Sequence, residues 1–444
     1  MDKDEIDRIL EKNIPESMLL RGRTTVDSLL GPVRDVLNRR QFPEKGFTDH
    51  QVEMMLQLLS SFDTDKDPDA ARVGEREARV ASPFIGRLSA GFNHGIGRSG
   101  QLAAPQPKAP GASLMHQVAN SVALDAIRKL GLSNMKSGIV TPLSTGMSIS
   151  LILGALRREH GVKRVLFPRV DHISPHRAIA LAGLEEILIP TIIIGDAVQA
   201  DLSVLEKKLK EDEANAVLTT TTFFPPRESD PVKEIAKHCA EYEVPLIVNN
   251  AYGVQSERTM REIRSAADAG RVDAVVQSSD KNFLAPVGGS IVVSPSTDFI
   301  EQVAETYAGR ASAAPVVQTL AALLVLGLDN YRGLQQQQVA NLKLLHERMN
   351  EAAEKLGQRI LSVWNPVACA ITMDGVDVKE IGARLYTARV TGPRAVARGE
   401  YGSSTDDYPH SYLVMNAAIG ASRNDIETAT AKFYKEASSY LSNP

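Results

Sequence analysis

Apolar positions near the start of the chain recur every three to four residues, which predicts helices over Glu5–Leu20 and Thr24–Arg39. A third helix is expected to begin at Thr48, because Thr48 and Gln51 have capping-box spacing before the apolar stretch Val52–Leu59. The pattern then fails. Gly91–Ser113 carries four glycines between 91 and 100 and three prolines between 105 and 110, so it reads as a shaped loop. From residue 115 onward the period changes. Short β-rich runs at Gly138–Pro142, Arg164–Val170, Glu186–Ile194, Ala216–Phe224, Pro245–Asn250, Ala274–Ser278 and Gly289–Ser294 alternate with helical stretches such as Val232–Tyr242 and Met260–Ala267. That alternation predicts an α/β fold on a mostly parallel, seven-stranded sheet covered on both faces. A long helical region, Pro315–Leu356, leads to a smaller α+β unit with strands near Ala368–Met373 and Tyr412–Asn416 and a last helix near Asn424–Leu441. The run Gln335–Gln338 falls inside the helical pattern and reads as a solvated face.

With 444 residues, the chain divides into a helical N-terminal region (1–115) containing the loop 91–113, a central sheet domain (116–314) and a C-terminal α+β domain (315–444). Two cysteines, Cys239 and Cys369, exclude a disulfide framework, and the histidines show no metal-ligand spacing, so no metal is expected. The longest apolar run, Leu320–Leu328, is about half of the ~20 residues that a membrane span requires. The polar start MDKDEIDRILEKN is not a signal peptide, and a cytoplasmic protein without membrane contact is expected. A net charge of −4 leaves nucleic-acid contact to local basic patches. There are two: Arg34, Arg39, Arg40 and Lys45 near the end of the second helix, and Lys379, Arg389, Arg394 and Arg398 in the C-terminal unit.

Four segments carry candidate chemistry. In Val275–Ser294 a strand ends, Lys281 follows, and a glycine pair opens the next strand; Ser278 lies three residues before the lysine. Ligands in open α/β sheets bind beyond the carboxyl ends of strands, where a lysine can form a Schiff base. An isolated SxxK is more often a solvated surface lysine. PLSTGMS, Pro142–Ser148, places Ser144, Thr145, Gly146 and Met147 at a strand-to-helix junction. Free N–H groups and the helix dipole make such a junction an anion site, although a plain Thr-capped helix has the same pattern. Asn249 ends the strand of PLIVNNAYG, and His172 follows another strand tip in FPRVDHISPHRA, where it is placed to stack on a planar ring.

The order of phosphate turn, ring stacker, strand-tip polar residue and lysine resembles the aminotransferase-like, fold-type I enzymes of pyridoxal 5′-phosphate (PLP). That resemblance implies that Lys281 is the catalytic, cofactor-linked residue. It also implies that Ser144, Thr145, Gly146, Met147 and Ser278 surround the cofactor phosphate, that His172 stacks on the ring, and that Asn249 lies at the ring nitrogen. Asn249 departs from the usual aspartate. An amide makes the cofactor a weaker electron sink, which suits a substrate with a good leaving group at Cβ.

Longer stretches narrow the family. GEREARVAS, HGIGRSG, QPKAPGASL, NNAYGVQS, SSDKNFLAPVGG and GRASA resemble the O-phosphoseryl-tRNA(Sec):selenocysteinyl-tRNA synthases of archaea and eukaryotes over nearly the whole chain. The resemblance implies conversion of O-phosphoseryl-tRNA(Sec) to selenocysteinyl-tRNA(Sec) by β-elimination of phosphate and addition of selenium from selenophosphate. It implies Arg98, Ser99, Gln106, Lys108 and Arg310 as ligands of the substrate phosphate or the selenophosphate. Arg76, with Glu75, would reach an active site shared between subunits of a homotetramer. Taken singly, each arginine fits an ordinary surface salt bridge. Two other readings stay open. One is a PLP-dependent desulfurase or lyase acting on a free amino acid, which needs a reactive cysteine that neither Cys239 nor Cys369 resembles. The other is a tRNA-binding homologue without catalysis.

Overall fold

The computed structural model describes residues Lys3–Ser442. The early helices of the N-terminal region form, with one correction, whereas residues 61–109 are mostly irregular and hold only a turn at Thr64–Lys66 and a short helix at Pro83–Arg87. Glu5–Leu20 is not a single helix: Lys3–Asn13 and Glu16–Arg39 are separate, and Pro15 stands at the boundary. Proline lacks the N–H that would continue the first helix and pushes the residue before it out of helical geometry. The next helix, Asp49–Ser60, is capped by Thr48. The Gln51 N–H donates to Thr48 Oγ1 at 3.3 Å, and Gln51 Oε1 accepts from the Thr48 N–H at 2.9 Å.

Seven strands make the central sheet: β1 (Ser137–Thr141), β2 (Arg164–Pro168), β3 (Glu185–Ile189), β6 (Val217–Thr220), β7 (Leu246–Asn249), β8 (Ala274–Ser278) and β9 (Ser290–Ser294). β4 (Thr191–Ile194) and β5 (Ala197–Ala200) form a separate hairpin. The sheet order is β1-β9-β8-β7-β6-β2-β3, and β9 alone runs antiparallel to its neighbours. Every residue of β6, β7, β8 and β9 is buried, because helices cover both faces and leave no solvent side for alternation. The run expected as one strand, Glu186–Ile194, divides at Pro190 into β3 and the first arm of the hairpin. A proline cannot donate within a ladder, so the chain leaves the sheet there.

The helical passage Ala314–Leu356 is broken at Gly327, whose φ of 58° and ψ of 172° are not helical. The loop after the second helix fills the break. The N–H groups of Leu328 and Asp329 donate to the carbonyls of Pro43 and Glu44, and the Phe47 N–H donates to the Leu324 carbonyl. The helix groups freed by the break are thus satisfied by the N-terminal region. The first half of this helix packs in the core of the sheet, with Leu320, Leu323 and Leu324 fully buried. Its second half packs Leu345 and Met349 into a distinct core with Leu413 and Phe433.

That second core supports a three-stranded sheet, β10 (Ala368–Thr372), β12 (Tyr412–Asn416) and β11 (Arg394–Val396), backed by helices Val378–Thr387 and Arg423–Ser442. The three-residue β11 is too short to read from periodicity. The expected solvated face at Gln335–Gln338 is also corrected: Gln335 and Gln338 are buried. The Gln338 amide donates to the carbonyls of Pro366 and Ala417 at 2.8 and 2.9 Å and so stitches the helix to the C-terminal unit.

Candidate active site

The carboxyl ends of β2, β6, β7 and β8, with the turn after β1, converge on one cleft with a cavity volume of about 150 Å³. The helix Thr145–His160 begins there. Ser144 is its N-cap residue but makes no side-chain capping bond, so the first-turn N–H groups lack intrahelical partners and face the cleft with the positive end of the dipole. The helix start is fixed from behind by a triangle of hydroxyls, Thr141 to Ser148 at 2.7 Å, Thr141 to Ser290 at 2.9 Å and Ser148 to Ser290 at 2.7 Å, all buried. Ser144, Thr145 and Gly146 line the cleft. Met147, expected beside them, turns its side chain away into a separate groove shared with Leu143 and Leu181, because it lies on the opposite face of the first helical turn.

Four buried polar atoms in this cleft have no partner: Thr145 Oγ1, Thr220 Oγ1, Thr222 Oγ1 and Asn249 Oδ1. Orphaned buried polar atoms are few in a folded protein, and a cluster of them marks a ligand site. Lys281 faces them from the short helix Ser279–Phe283, which follows β8 directly. Its Nζ lies 4.9 Å from the centre of the Tyr252 ring. The lysine turn is anchored on both sides. Asn282 Nδ2 donates to the carbonyls of Ala251 and Ser278 at 2.8 Å each, and Phe283 packs on Tyr331 with ring centres 5.3 Å apart. Ser278, expected as a phosphate donor, directs its hydroxyl to the Asp280 carboxylate. An amine, an open helix N-terminus and unpaired amide and hydroxyl groups around one cleft fit a planar phosphate-bearing aldehyde such as PLP.

His172 stands at the N-cap position of the next helix, Ile173–Leu181, without a side-chain capping bond, and sets its ring edge-on to Phe223 at 6.1 Å. Burial lowers its pKa from the usual 6.5, and the cations of Lys281 and Arg394 lower it further, so the imidazole is neutral at pH 7. Arg394, expected in a basic cluster with Arg389 and Arg398, is half-buried. It does not join Arg389 and Arg398 on an exposed basic face. From β11 its guanidinium lies 5.3 Å from the Phe223 ring and 5.1 Å from the Phe224 ring, both of which line the Lys281 cleft, and it donates to the Gly402 carbonyl at 3.2 Å.

A second cleft gathers Arg76, Lys108 and Arg310 with Glu75, Glu77 and His94. Lys108 pairs with Glu77, and Arg310 donates to the His94 carbonyl. Burial lowers the Arg310 pKa, the neighbouring Arg76 cation lowers it further, and the Glu77 carboxylate opposes them. Arg98 and Ser99 stand exposed on the turn Arg98–Gln101 and line neither cleft. Gln106 is also outside both, with its N–H donating to Ser113 Oγ at 2.9 Å. The loop 91–113 ends sooner than expected, since Pro110 already opens the helix Pro110–Lys129. The two clefts share no lining residue. Of the N-terminal basic cluster, Arg34, Arg39 and Lys45 are exposed, whereas Arg40 is half-buried with its guanidinium 3.5 Å from Gln117 Oε1.

Sequence reasoning missed Tyr252, Gln255 and Arg394 as neighbours of the lysine. Tyr252 and Gln255 lie inside the NNAYGVQS stretch, so the motif held them but spacing gave no role.

Comparison with known proteins places the chain in a family. A family model described as O-phosphoseryl-tRNA(Sec) selenium transferase matches residues 62–438. The enzyme of that name from Methanopyrus kandleri is 45% identical over 427 residues, covering 95% of this chain and 98% of its own. The one from Methanococcus maripaludis is 43% identical over 436 residues, covering 97% and 99%. A crystal structure of an archaeal O-phosphoseryl-tRNA(Sec) selenium transferase superposes with a TM-score of 0.92 at 43% identity, over 95% of this chain and 98% of that one. An Oryza sativa structure containing PLP and tryptamine shares the fold alone, with a TM-score of 0.60 at 13% identity over 99% of both chains. Since the family match spans the lysine turn, the helix N-terminus opposite it and the arginine cleft alike, the chain belongs to the O-phosphoseryl-tRNA(Sec) selenium transferase family.

Proposed function

We propose that this chain converts O-phosphoseryl-tRNA(Sec) to selenocysteinyl-tRNA(Sec), with PLP held in the Lys281 cleft and selenium drawn from selenophosphate. One observation carries the reading: Lys281 and the uncapped helix start at Ser144–Gly146 face each other across a cleft lined with orphaned polar atoms. When bound, PLP supplies the electron sink that lets a proton leave Cα and phosphate leave Cβ.

The remaining work belongs to the chain. The open helix N-terminus at Ser144, Thr145 and Gly146 would hold the cofactor phosphate, and neutral His172 would cover one ring face. Asn249 would present an amide to the ring nitrogen, sufficient where phosphate is the leaving group. Lys281 would hold the aldehyde carbon and, once displaced by the substrate amine, take the Cα proton. Arg76 and Arg310 would bind the phosphoseryl phosphate and then the phosphate of the selenium donor. Because their cleft is separate from the lysine cleft within one chain, a second copy would bring them together, consistent with a homotetramer. Arg34, Arg39, Lys45, Arg389 and Arg398 are exposed and suited to tRNA phosphates, which position a nucleic acid without reading it. A cytoplasmic location completes the reading, while the expected divisions at 115 and 314 do not follow the cores: the helix Pro110–Lys129 crosses the first, and Leu320–Leu328 pack with the central sheet.

The buried thiols weigh against a desulfurase: burial raises both cysteine pKa values, that of Cys369 to about 12. Incubation with selenophosphate and either phosphoseryl-tRNA(Sec) or seryl-tRNA(Sec), followed by identification of the aminoacyl group, tests the proposal. Selenocysteine from the phosphorylated substrate alone is expected. Equal turnover of seryl-tRNA, or consumption of free cysteine with phosphoserine untouched, would overturn it.

A further inference from the structure

Gln255 ends the short turn Gly253–Gln255 and is 2% exposed. Its Nε2 donates to the backbone carbonyl of Lys281 at 2.8 Å. Its Oε1 accepts from the backbone N–H of Ile419 at 2.7 Å. The amide orientation is fixed by these partners, since a flip would oppose donor to donor and acceptor to acceptor. One buried side chain therefore ties the lysine turn to the C-terminal unit. A second contact lies beside it: Gly420 has φ of +87°, and a Cβ there would stand 2.9 Å from Leu284 Cδ2, just past the lysine helix. The backbone of the Gln255 turn is held independently, because Gln335 Nε2 donates to the carbonyls of Val254 and Gln255 at 3.2 and 3.3 Å. The Gln255 side chain is thus not needed to keep its own turn in place.

We infer that Gln255 is a positioning residue for Lys281, holding the lysine peptide in register with Ile419 so that the amine is presented to the cleft only when the C-terminal unit is seated. The inference rests on Lys281 being the cofactor lysine. A lysine on a five-residue helix has little intrahelical support. Fixing its carbonyl restricts where the side chain can start from. Gln255→Glu separates the two bonds: a carboxylate still accepts from Ile419 but cannot donate to Lys281 and sets oxygen against oxygen. Gln255→Met removes both.

The test uses the full-length protein stripped of cofactor. PLP is added, and its capture is followed by absorbance and by borohydride fixation mapped to Lys281. Gln338→Met serves as the comparison, because Gln338 also ties the C-terminal unit but does not touch the lysine turn. Gln255→Glu and Gln255→Met are expected to capture PLP roughly tenfold or more slowly, with kcat reduced in step and KM for phosphoseryl-tRNA(Sec) little changed. Gln338→Met, at a similar loss of thermal stability, is expected to capture at the wild-type rate. Wild-type capture by Gln255→Glu, or equal slowing by Gln338→Met, would overturn the positioning role. Failure of the wild-type chain to fix PLP at Lys281 would instead overturn the reading of the site itself.

Discussion

The ε-amine of Lys281 lies 4.9 Å from the centre of the ring of Tyr252, the residue immediately before the turn that Gln255 closes onto the lysine carbonyl. The ring follows β7 and the amine follows β8, so adjacent parallel strands deliver both to one point. A cation over a partly desolvated aromatic face is stabilised by about 0.5–2 kcal/mol. Tyr252→Leu keeps the apolar bulk and removes the ring. The variant is expected to fold normally and to bind PLP about two- to thirtyfold more weakly, as cofactor titration followed by absorbance would show.

The arginine cleft makes a separate prediction. Charge-assisted hydrogen bonds contribute about 1.5–3 kcal/mol each, so Arg310→Ala should lower kcat/KM for phosphoseryl-tRNA(Sec) by roughly ten- to a hundredfold. Arg310→Lys should recover only part, because an ammonium cannot form a forked contact with phosphate. Unchanged kinetics in either variant would remove Arg310 from substrate binding.

Asp63 gives the pH dependence its sign. Its Oδ1 accepts from the Ala112 N–H at 3.0 Å, its second oxygen is unpaired, and burial raises its pKa from 3.8 to about 6. Between those values the folded state keeps a proton that the unfolded chain has lost, so this group makes stability fall as pH rises from about 3.8 to about 6. Above that window the penalty is constant. The Tm of Asp63→Asn minus that of the wild type should therefore grow more positive across the window and then level. A difference that shrinks across it would contradict the assignment.

The break at Gly327 is the clearest packing test. A Cβ on Gly46 would lie 2.1 Å from the Val325 carbonyl oxygen, and backbone cannot give way as a flexible side chain does. Gly46→Ala is expected to cost about 1–3 kcal/mol and lower Tm, with PLP binding retained once the chain is folded.

The distribution of legible and illegible features has a physical pattern. Runs such as Leu246–Asn249 and Ala274–Ser278 could be read because burial on both faces demands unbroken apolar sequence, and the strand tips then located Asn249 and Lys281. The Thr48 cap was legible because both of its bonds are local. Contacts across long sequence separations were not. Arg394 shares its chain neighbourhood with exposed Arg389 and Arg398, and only the tertiary packing of β11 turns it towards Phe223. Gln335 and Gln338 share a polar run with their exposed neighbours, and their burial depends on backbone carbonyls 28 to 81 residues away. The break at Pro190 and the helix start at Pro110 did carry local signals, in a residue that cannot donate within a strand but suits the first turn of a helix.

The central claim is that Lys281, in this cleft, carries the cofactor and the chemistry. The most direct measurement is borohydride reduction of the holoenzyme followed by peptide mapping, alongside turnover of phosphoseryl-tRNA(Sec) by the wild type and by Lys281→Ala. One pyridoxyl adduct, on Lys281, is expected, with selenocysteinyl-tRNA formed by the wild type and none by the variant. An adduct on another lysine, or selenocysteine formed by Lys281→Ala, would contradict it.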